Sequence, residues 1–270
     1  MNIVPILNIV EFQDFLLTAK LAISSGLGDS RPPILNKHQN DEPYDFELDD
    51  LYYLYSLTRQ NAAVSVLEFG SGWSTLAFAK AMDENRRSMA DAFNVRHPNP
   101  FKVMSVDASE HWMDVTLSRL PSELRGLVIP QVTTPRLIEL HGSYVSVYGE
   151  IPPFTPDIIY LDGPDPEQVA GSIDGFVSLE LHGLPMSADV LRIEPHLWPW
   201  TMIVTDGRTA NARFLQANLR RNWQYLHDPF GDRTIFRLEE TPFGPVTEEH
   251  LTTRLKAARC VSQKEGPVLQ

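Results

Sequence analysis

Residues 64–82, VSVLEFGSGWSTLAFAKAM, constrain the fold more tightly than any other stretch of the chain. A β-branched apolar run with Val64, Val66 and Leu67 ends in Glu68 and two glycines, and apolar residues then resume at helical spacing. The run reads as a buried strand, Gly70 and Gly72 as a turn, and Leu76, Ala79, Lys80 and Met82 as the helix that follows. Glycine permits φ > 0 and lets a ligand approach the backbone with no Cβ in the way. The helix start offers unpaired N–H groups and a positive dipole end to a polar or anionic ligand group. Strand, glycine turn and helix in that order imply a nucleotide or nucleoside site in a parallel α/β sheet.

The details decide which nucleotide. A dinucleotide fingerprint needs G-x-G-x-x-G, whose third glycine lets helix and strand pack closely. Thr75 stands at that third position, so the match fails. Glu68, two residues before the first glycine, places a carboxylate at the mouth of the site. It repels a pyrophosphate and attracts a ligand bearing an ammonium and a sulfonium. The pattern E-x-G-x-G-x-S resembles motif I of the class I S-adenosylmethionine (SAM) methyltransferases, (D/E)-x-G-x-G-x-G, with Ser74 in the last glycine place. The resemblance implies SAM as cofactor, held around Glu68, Gly70, Ser71, Gly72 and Ser74.

At 270 residues the chain suits one α/β domain with additions. A hydrophobic fraction of 43% and a charged fraction of 21% are ordinary for a globular protein with a buried core. The formal net charge of −12 opposes binding to nucleic-acid backbone or anionic lipid. A single cysteine, Cys260, excludes a disulfide framework and CxxC zinc sites and points to a reducing compartment. The N-terminal segment lacks the positive n-region of a signal peptide, and no window reaches membrane-helix length. A cytoplasmic protein is expected.

Two apolar stripes precede the glycine turn, one at Phe12, Phe15, Leu16 and Ala19 and one from Leu48 to Leu57. Residues 1–63 therefore read as an N-terminal helical cap. After the first helix, 83–100 reads as a polar insertion, ended by prolines, that lengthens the end of the helix or its loop. Further strands are expected at 103–106, 127–132, 158–161 and 202–205, the first, third and fourth of them ending in Asp107, Asp162 and Asp206. Two last runs, WQYLHD and DRTIFRL, are separated by Pro229-Phe230-Gly231 and read as a hairpin. Alternating strands and helices imply right-handed βαβ units. The resemblance implies a seven-stranded, mostly parallel sheet with helices on both faces, in the order 3-2-1-4-5-7-6 with strand 7 antiparallel. It spans residues 64–238 as the SAM-binding domain and leaves 239–270 as a tail with one weak helix at 248–258.

In an open α/β sheet, ligands sit at the carboxyl ends of the strands. The resemblance gives Asp107 the two ribose hydroxyls, with Ala108 beside it, and makes His111 and Trp112 possible adenine neighbours. A helix cap is the structural alternative for Asp107. Asp162 is expected near the transferred methyl, as a general base or as a contact to the methionine part of SAM; a turn Asp before Gly-Pro is its alternative. Asp206 stands on the adjacent strand, and with Asp162 it could hold Mg²⁺. The Asp206-Gly207-Arg208 run departs from the Asp-Asp or Asp-Asn of the metal-dependent O-methyltransferases, so no metal is assigned. Arg208 and Arg213 are candidates for an acidic substrate group. His182 and His196 are candidate bases, His196 the one taken as catalytic beside Asp162. Residues 171–185 could form a lid, and Trp198 and Trp200 could wall a pocket.

These readings describe a methyltransferase acting by direct displacement on a hydroxyl of a small molecule or sugar. No Asn-Pro-Pro-aromatic run marks an amine or base target. The alternatives are a non-catalytic SAM-binding or scaffold protein on the same fold and, less favoured by Glu68 and Thr75, an NAD(P)-dependent oxidoreductase. The acceptor and the oligomeric state are not legible in the sequence.

Overall fold

The computed structural model describes residues 4–21, 45–89, 97–178, 186–229 and 231–265. Helices α1 (Ile9–Leu21) and α2 (Leu48–Gln60) come first, then β1 (Ser65–Phe69) and the long α3 (Trp73–Met89). Next are β2 (Lys102–Asp107), α4 (Glu110–Arg119), the short α5 (Ser122–Arg125) and β3 (Val128–Val132). A hairpin of β4 (Arg136–Leu140) and β5 (Ser143–Val147) precedes β6 (Ile158–Leu161). A two-residue pair, β7 (Ser172–Ile173) and β8 (Phe176–Val177), is followed by β9 (Met186–Ser187) and α6 (Asp189–Ile193). The chain closes with β10 (Met202–Asp206), α7 (Thr209–Asn218), β11 (Trp223–Asp228), β12 (Arg233–Leu238) and α8 (Pro245–Glu265).

Seven strands form the main sheet in the order β11-β12-β10-β6-β1-β2-β3. The pairs from β3 across to β10 are parallel, and β12 runs antiparallel to both β10 and β11. Counted along the chain, that is the order 3-2-1-4-5-7-6 with its antiparallel seventh strand, the topology implied by motif I.

Strand side chains alternate between faces. Val66, Val103, Ile158, Tyr160, Met202 and Val204 face a core shared with α1, α2 and α3. Leu67, Phe69, Met104, Val106, Ile159, Leu161 and Ile203 face a second core, with Val190, Leu215 and Phe236. Both faces of the central strands are thus buried, which is why these runs are continuously apolar rather than alternating.

Three parts of the fold differ from the reading of the sequence. The 83–89 stretch does lengthen α3, but it is not solvent-facing throughout: Asp83, Glu84 and Asn85 are buried. Arg59 of α2, with no exposed surface, pairs with Glu84 at 3.1 Å and donates to Asn85, so the α2–α3 contact is polar where α2 ends. Second, β4 and β5 pair through a two-residue turn at His141 (φ 52°) and Gly142 (φ 75°), and β9 joins them as a small separate sheet. Third, α8 is twice the expected helix, and Thr247, His250, Arg254, Ala257 and Val261 are buried on one of its faces.

Candidate functional site

Register places the site. Phe69 of β1 pairs with Val106 of β2 and with Leu161 of β6, and Leu161 pairs with Thr205 of β10. The next residues along, Gly70, Asp107, Asp162 and Asp206, therefore form one row across the carboxyl ends of four parallel strands. That row is the crevice where open α/β sheets bind ligands.

Gly70 must be glycine for two reasons. Its φ of +98° is unfavourable for any L side chain, and a Cβ there would lie 3.1 Å from the carbonyl carbon of Asp162. Gly163 answers it from the facing turn: a Cβ on Gly163 would sit 2.8 Å from the Tyr148 hydroxyl and 3.0 Å from the Gly70 nitrogen. Local pattern does not single out Gly163, because its constraint comes from the Tyr148 hydroxyl and the Gly70 backbone, both distant in sequence. Gly72 is different. A Cβ there meets nothing within 4 Å, so its lack of a side chain leaves open space above the start of α3. The turn is fixed on its other side by the Gly70 N–H, which donates to the Val106 carbonyl at 2.8 Å.

Glu68 is fully buried beneath the turn rather than open at its mouth. It lies on the face of β1 that looks toward α3, opposite Ser105 in register. Thr75 Oγ1 and Ser105 Oγ donate to its Oε2 at 2.5 and 2.8 Å. Burial pushes its carboxyl up to about 7 against the pull of these hydroxyls. Thr75, read only as the residue that breaks the dinucleotide pattern, thus ties the helix start to the strand. Ser74 is buried in the first turn of α3, next to it.

Asp107, 6% exposed, binds the turn from the β2 side. Its Oδ2 accepts from the Ser71 N–H at 2.7 Å and the Ser71 hydroxyl at 2.6 Å, and its Oδ1 accepts from the Ser109 N–H at 2.8 Å. Ser109 itself caps α4, accepting from the Trp112 N–H at 3.2 Å, so Asp107 is not the cap. Ala108 is half-buried between them, and the His111 and Trp112 rings meet edge to face on the first turn of α4, 4.9 Å apart.

Asp162 is exposed at the end of β6. Arg208 straps this turn, donating to the Asp162 carbonyl at 2.6 Å with its Nε 3.9 Å from the Asp162 carboxylate. Asp206 is half-buried; burial, with Asp50 and Asp162 nearby, raises its carboxyl to about 7, and Arg233 and the Tyr160 hydroxyl oppose the rise. Helix α2 closes this end of the crevice. Asp50 lies 3.5 Å from Arg233, whose guanidinium stacks 3.9 Å from the Tyr53 ring centre. Asp50, Tyr53, Tyr160 and Arg233 were not foreseen, because they come from α2, β6 and β12 and only topology brings these three elements together.

Other expected residues stand elsewhere. His196 is exposed in a 3-10 turn before the amino end of β10, so the length of that strand, about 13 Å, separates it from Asp206. The expectation of a catalytic His196 is therefore corrected: it flanks the wrong end of the strand. Arg213 is exposed on α7. Near it on the same helix, Asn211 is buried and exchanges hydrogen bonds with the Ser187 backbone, which pins β9. Trp198 packs at the amino end of the sheet against His97 and His250. Residues 172–177 of the expected lid form the β7–β8 hairpin, and His182 lies outside the described residues.

Among the described residues, Asp162 and Asp206 are not gathered with a third His, Cys, Asp or Glu into a metal-sized group. The one such group is His97, Asp157 and His250, at the opposite end of the sheet, with ligand atoms within 4.8 Å of one another. Its donor set does not fit a cation. Asp157 Oδ1 already accepts from His250 Nε2 and Arg254 Nη1, both at 2.7 Å, and Oδ2 accepts from the Val64 N–H at 2.7 Å. His97 Nδ1 accepts from the Asn99 N–H at 3.1 Å, which leaves its proton on Nε2, facing Ser65 Oγ at 3.4 Å. Burial would raise the Asp157 carboxyl, but Arg254 and His250 overcome it and hold it well below the usual range. The group is a charge network that seats α8.

No protein-family model matches the chain, and no curated protein sequence is similar to it. Solved structures do align with it. The O-methyltransferase TomG of Streptomyces achromogenes, in complex with SAM, is 14% identical over 84% of this chain and 90% of that one, with a TM-score of 0.40. An O-methyltransferase from Bacillus cereus, in complex with SAH, is 13% identical over 84% and 91%, with a TM-score of 0.40. A methyltransferase from Geobacter sulfurreducens is 14% identical over 86% and 100%, with a TM-score of 0.43.

Proposed function

We propose that the chain is a SAM-dependent methyltransferase that transfers a methyl group to a hydroxyl of a small molecule or sugar. The observation that carries this reading is the row of Gly70, Asp107 and Asp162 at the ends of adjacent strands, with open space over Gly72. Those residues suit the cofactor: a backbone turn that a ligand can approach closely, a carboxylate with remaining acceptor capacity for ribose, and an acidic rim for a cationic ligand. A dinucleotide is disfavoured, since Thr75 fills the place of the third glycine and is bonded to Glu68.

SAM supplies an electrophilic methyl on a sulfonium when bound. The chain's own work is then alignment and exclusion of water, because charge disappears in such a transfer. The backbone of Gly70, Ser71 and Gly72 would hold the amino-acid and ribose side and Asp107 the ribose, with Ser74 and Ala108 lining it and Glu68 fixing the turn from below. Asp162, exposed at the crevice and steadied by Arg208, would accept the proton of an acceptor hydroxyl. The stacked pair of Tyr53 and Arg233, close to Asp206, would lie on the acceptor side. With no fitting donor set, no step is assigned to a metal.

Calorimetry with SAM, S-adenosylhomocysteine, NAD and NADP tests the reading. The two sulfur ligands are expected to bind and the nicotinamide ligands not to. Absence of binding by either sulfur ligand at millimolar concentration ends the proposal. Asp107→Ala should weaken binding by about 1–3 kcal/mol, the worth of a hydrogen-bonded charged partner. Transfer of labelled methyl to a panel of hydroxylated acceptors, compared with amines, then tests the O-methylation.

A further inference from the structure

The carboxylate at the end of β2 is crowded by its own chain. Two donors from Ser71, the N–H at 2.7 Å and the hydroxyl at 2.6 Å, converge on Asp107 Oδ2, and the Ser109 N–H takes Oδ1 at 2.8 Å. An ionised carboxylate offers about four acceptor positions. Three are filled, and one, on Oδ1, is left. A ribose presents two adjacent hydroxyls, so Asp107 can take both only if a present donor leaves.

We propose that Ser71 is a positioning residue that competes with the cofactor's ribose for Asp107. Its hydroxyl holds Oδ2 in the unliganded protein and turns away when the ribose diol arrives. The inference rests on the SAM reading given above and deepens it. Of the three donors, the Ser71 hydroxyl is the one free to leave. The two N–H groups belong to the glycine turn and to the entrance of α4, and losing either would disturb the backbone. The hydroxyl turns on one side-chain torsion, and its other contact is weak, a Thr116 Oγ1 donor at 3.5 Å. Ser71 is half-buried, so water can meet the hydroxyl once it has turned. The Ser71 N–H remains on Oδ2 throughout and keeps the turn in place.

The competition has a directional consequence. Each ribose hydroxyl that takes Oδ2 replaces a hydrogen bond already made, so the native residue lowers affinity for ribonucleosides and leaves ligands without the diol unaffected. Removing the hydroxyl should therefore tighten binding, the opposite of what loss of a supporting contact does.

Calorimetry on the full chain, on Ser71→Ala and on Ser71→Thr, with S-adenosylhomocysteine and its 2′,3′-dideoxy analogue, tests this. Ser71→Ala is expected to bind S-adenosylhomocysteine about five-fold more tightly than the native chain, the equivalent of one net hydrogen bond. Ser71→Thr, which restores a hydroxyl, should return to native affinity, and the dideoxy ligand should bind all three proteins alike. Unchanged or weaker binding by Ser71→Ala, while the native chain binds normally, overturns the inference. An equal gain for the dideoxy ligand overturns it too, since the effect would not pass through the diol. If the native chain and both variants all fail to bind S-adenosylhomocysteine, the SAM reading falls, and this inference with it.

Discussion

Replacing Asp157 by Ala should destabilise the protein more than any change in the crevice. Asp157 is 3% exposed and satisfies three donors from two parts of the chain. Arg254 and His250 bring α8 to it, and Val64 brings the entrance of β1. Arg254 is 4% exposed, so without Asp157 its guanidinium stays buried with no counter-charge. Removing one partner of such a buried pair costs about 3–5 kcal/mol, because the remaining ion cannot regain its hydration. The Val64 N–H loses its acceptor as well. In a chain of this size about 1 kcal/mol moves Tm by roughly 2–4 °C, which gives a fall of about 6–20 °C. Urea unfolding followed by circular dichroism reads the loss as a lower midpoint at unchanged slope. The double variant Asp157→Asn with Arg254→Met should recover much of it, since neither charge is then buried alone. A loss under about 1 kcal/mol for Asp157→Ala would mean that the network does not hold α8, and the refusal of a metal role for these residues would lose its footing.

The two glycines of motif I should separate structure from binding. Gly70→Ala meets backbone at 3.1 Å with φ at +98°, so it should lower stability by about 1–3 kcal/mol and abolish cofactor binding. Gly72→Ala meets nothing, so its stability should stay within about 0.5 kcal/mol while binding weakens; equal effects at both sites would contradict the cradle. Glu68 sets a pH dependence. Its folded carboxyl, at about 7, lies above its ordinary value of 4.5, so the folded state binds the extra proton and stability declines as pH rises from 4.5 through 7. Relative to Glu68→Gln, the native chain should lose up to about 3 kcal/mol between pH 4.5 and 8, read from denaturation midpoints at each pH. A constant difference between the two proteins would show that Glu68 ionises as freely in the fold as out of it.

Much of the sheet was legible because its strands obey local rules. Apolar runs ending in Glu-x-Gly-x-Gly, in Asp107, in Asp162 and in Asp206 all proved to be parallel strands whose ends share one row. What escaped detection was polar burial. The buried stripe of α8 is Thr247, His250, Arg254, Ala257 and Val261, at spacings of three and four, but only its last two members are apolar. A pattern of hydrophobicity cannot reveal a stripe whose partner is a carboxylate at the start of β6. The same holds for Glu84 and Asn85, whose burial depends on Arg59 from another helix. The His141-Gly142 turn does have a signal, alternating runs on either side of a turn dipeptide. At the site, Asp107 and the glycines could be found from motif and position, whereas Gly163, Asp50, Tyr53 and Arg233 could not. Their roles come from contacts between distant segments.

On the proposed reading, the turn at Gly70–Gly72 and the carboxylate of Asp107 form a nucleoside cradle at the strand ends. A crystal of the chain soaked with S-adenosylhomocysteine tests it most directly. Density is expected over Gly72, with both ribose hydroxyls on Asp107 and the sulfur directed toward Asp162. Density at another place on the molecule, or none at a ligand concentration that saturates known adenosyl sites, would contradict it.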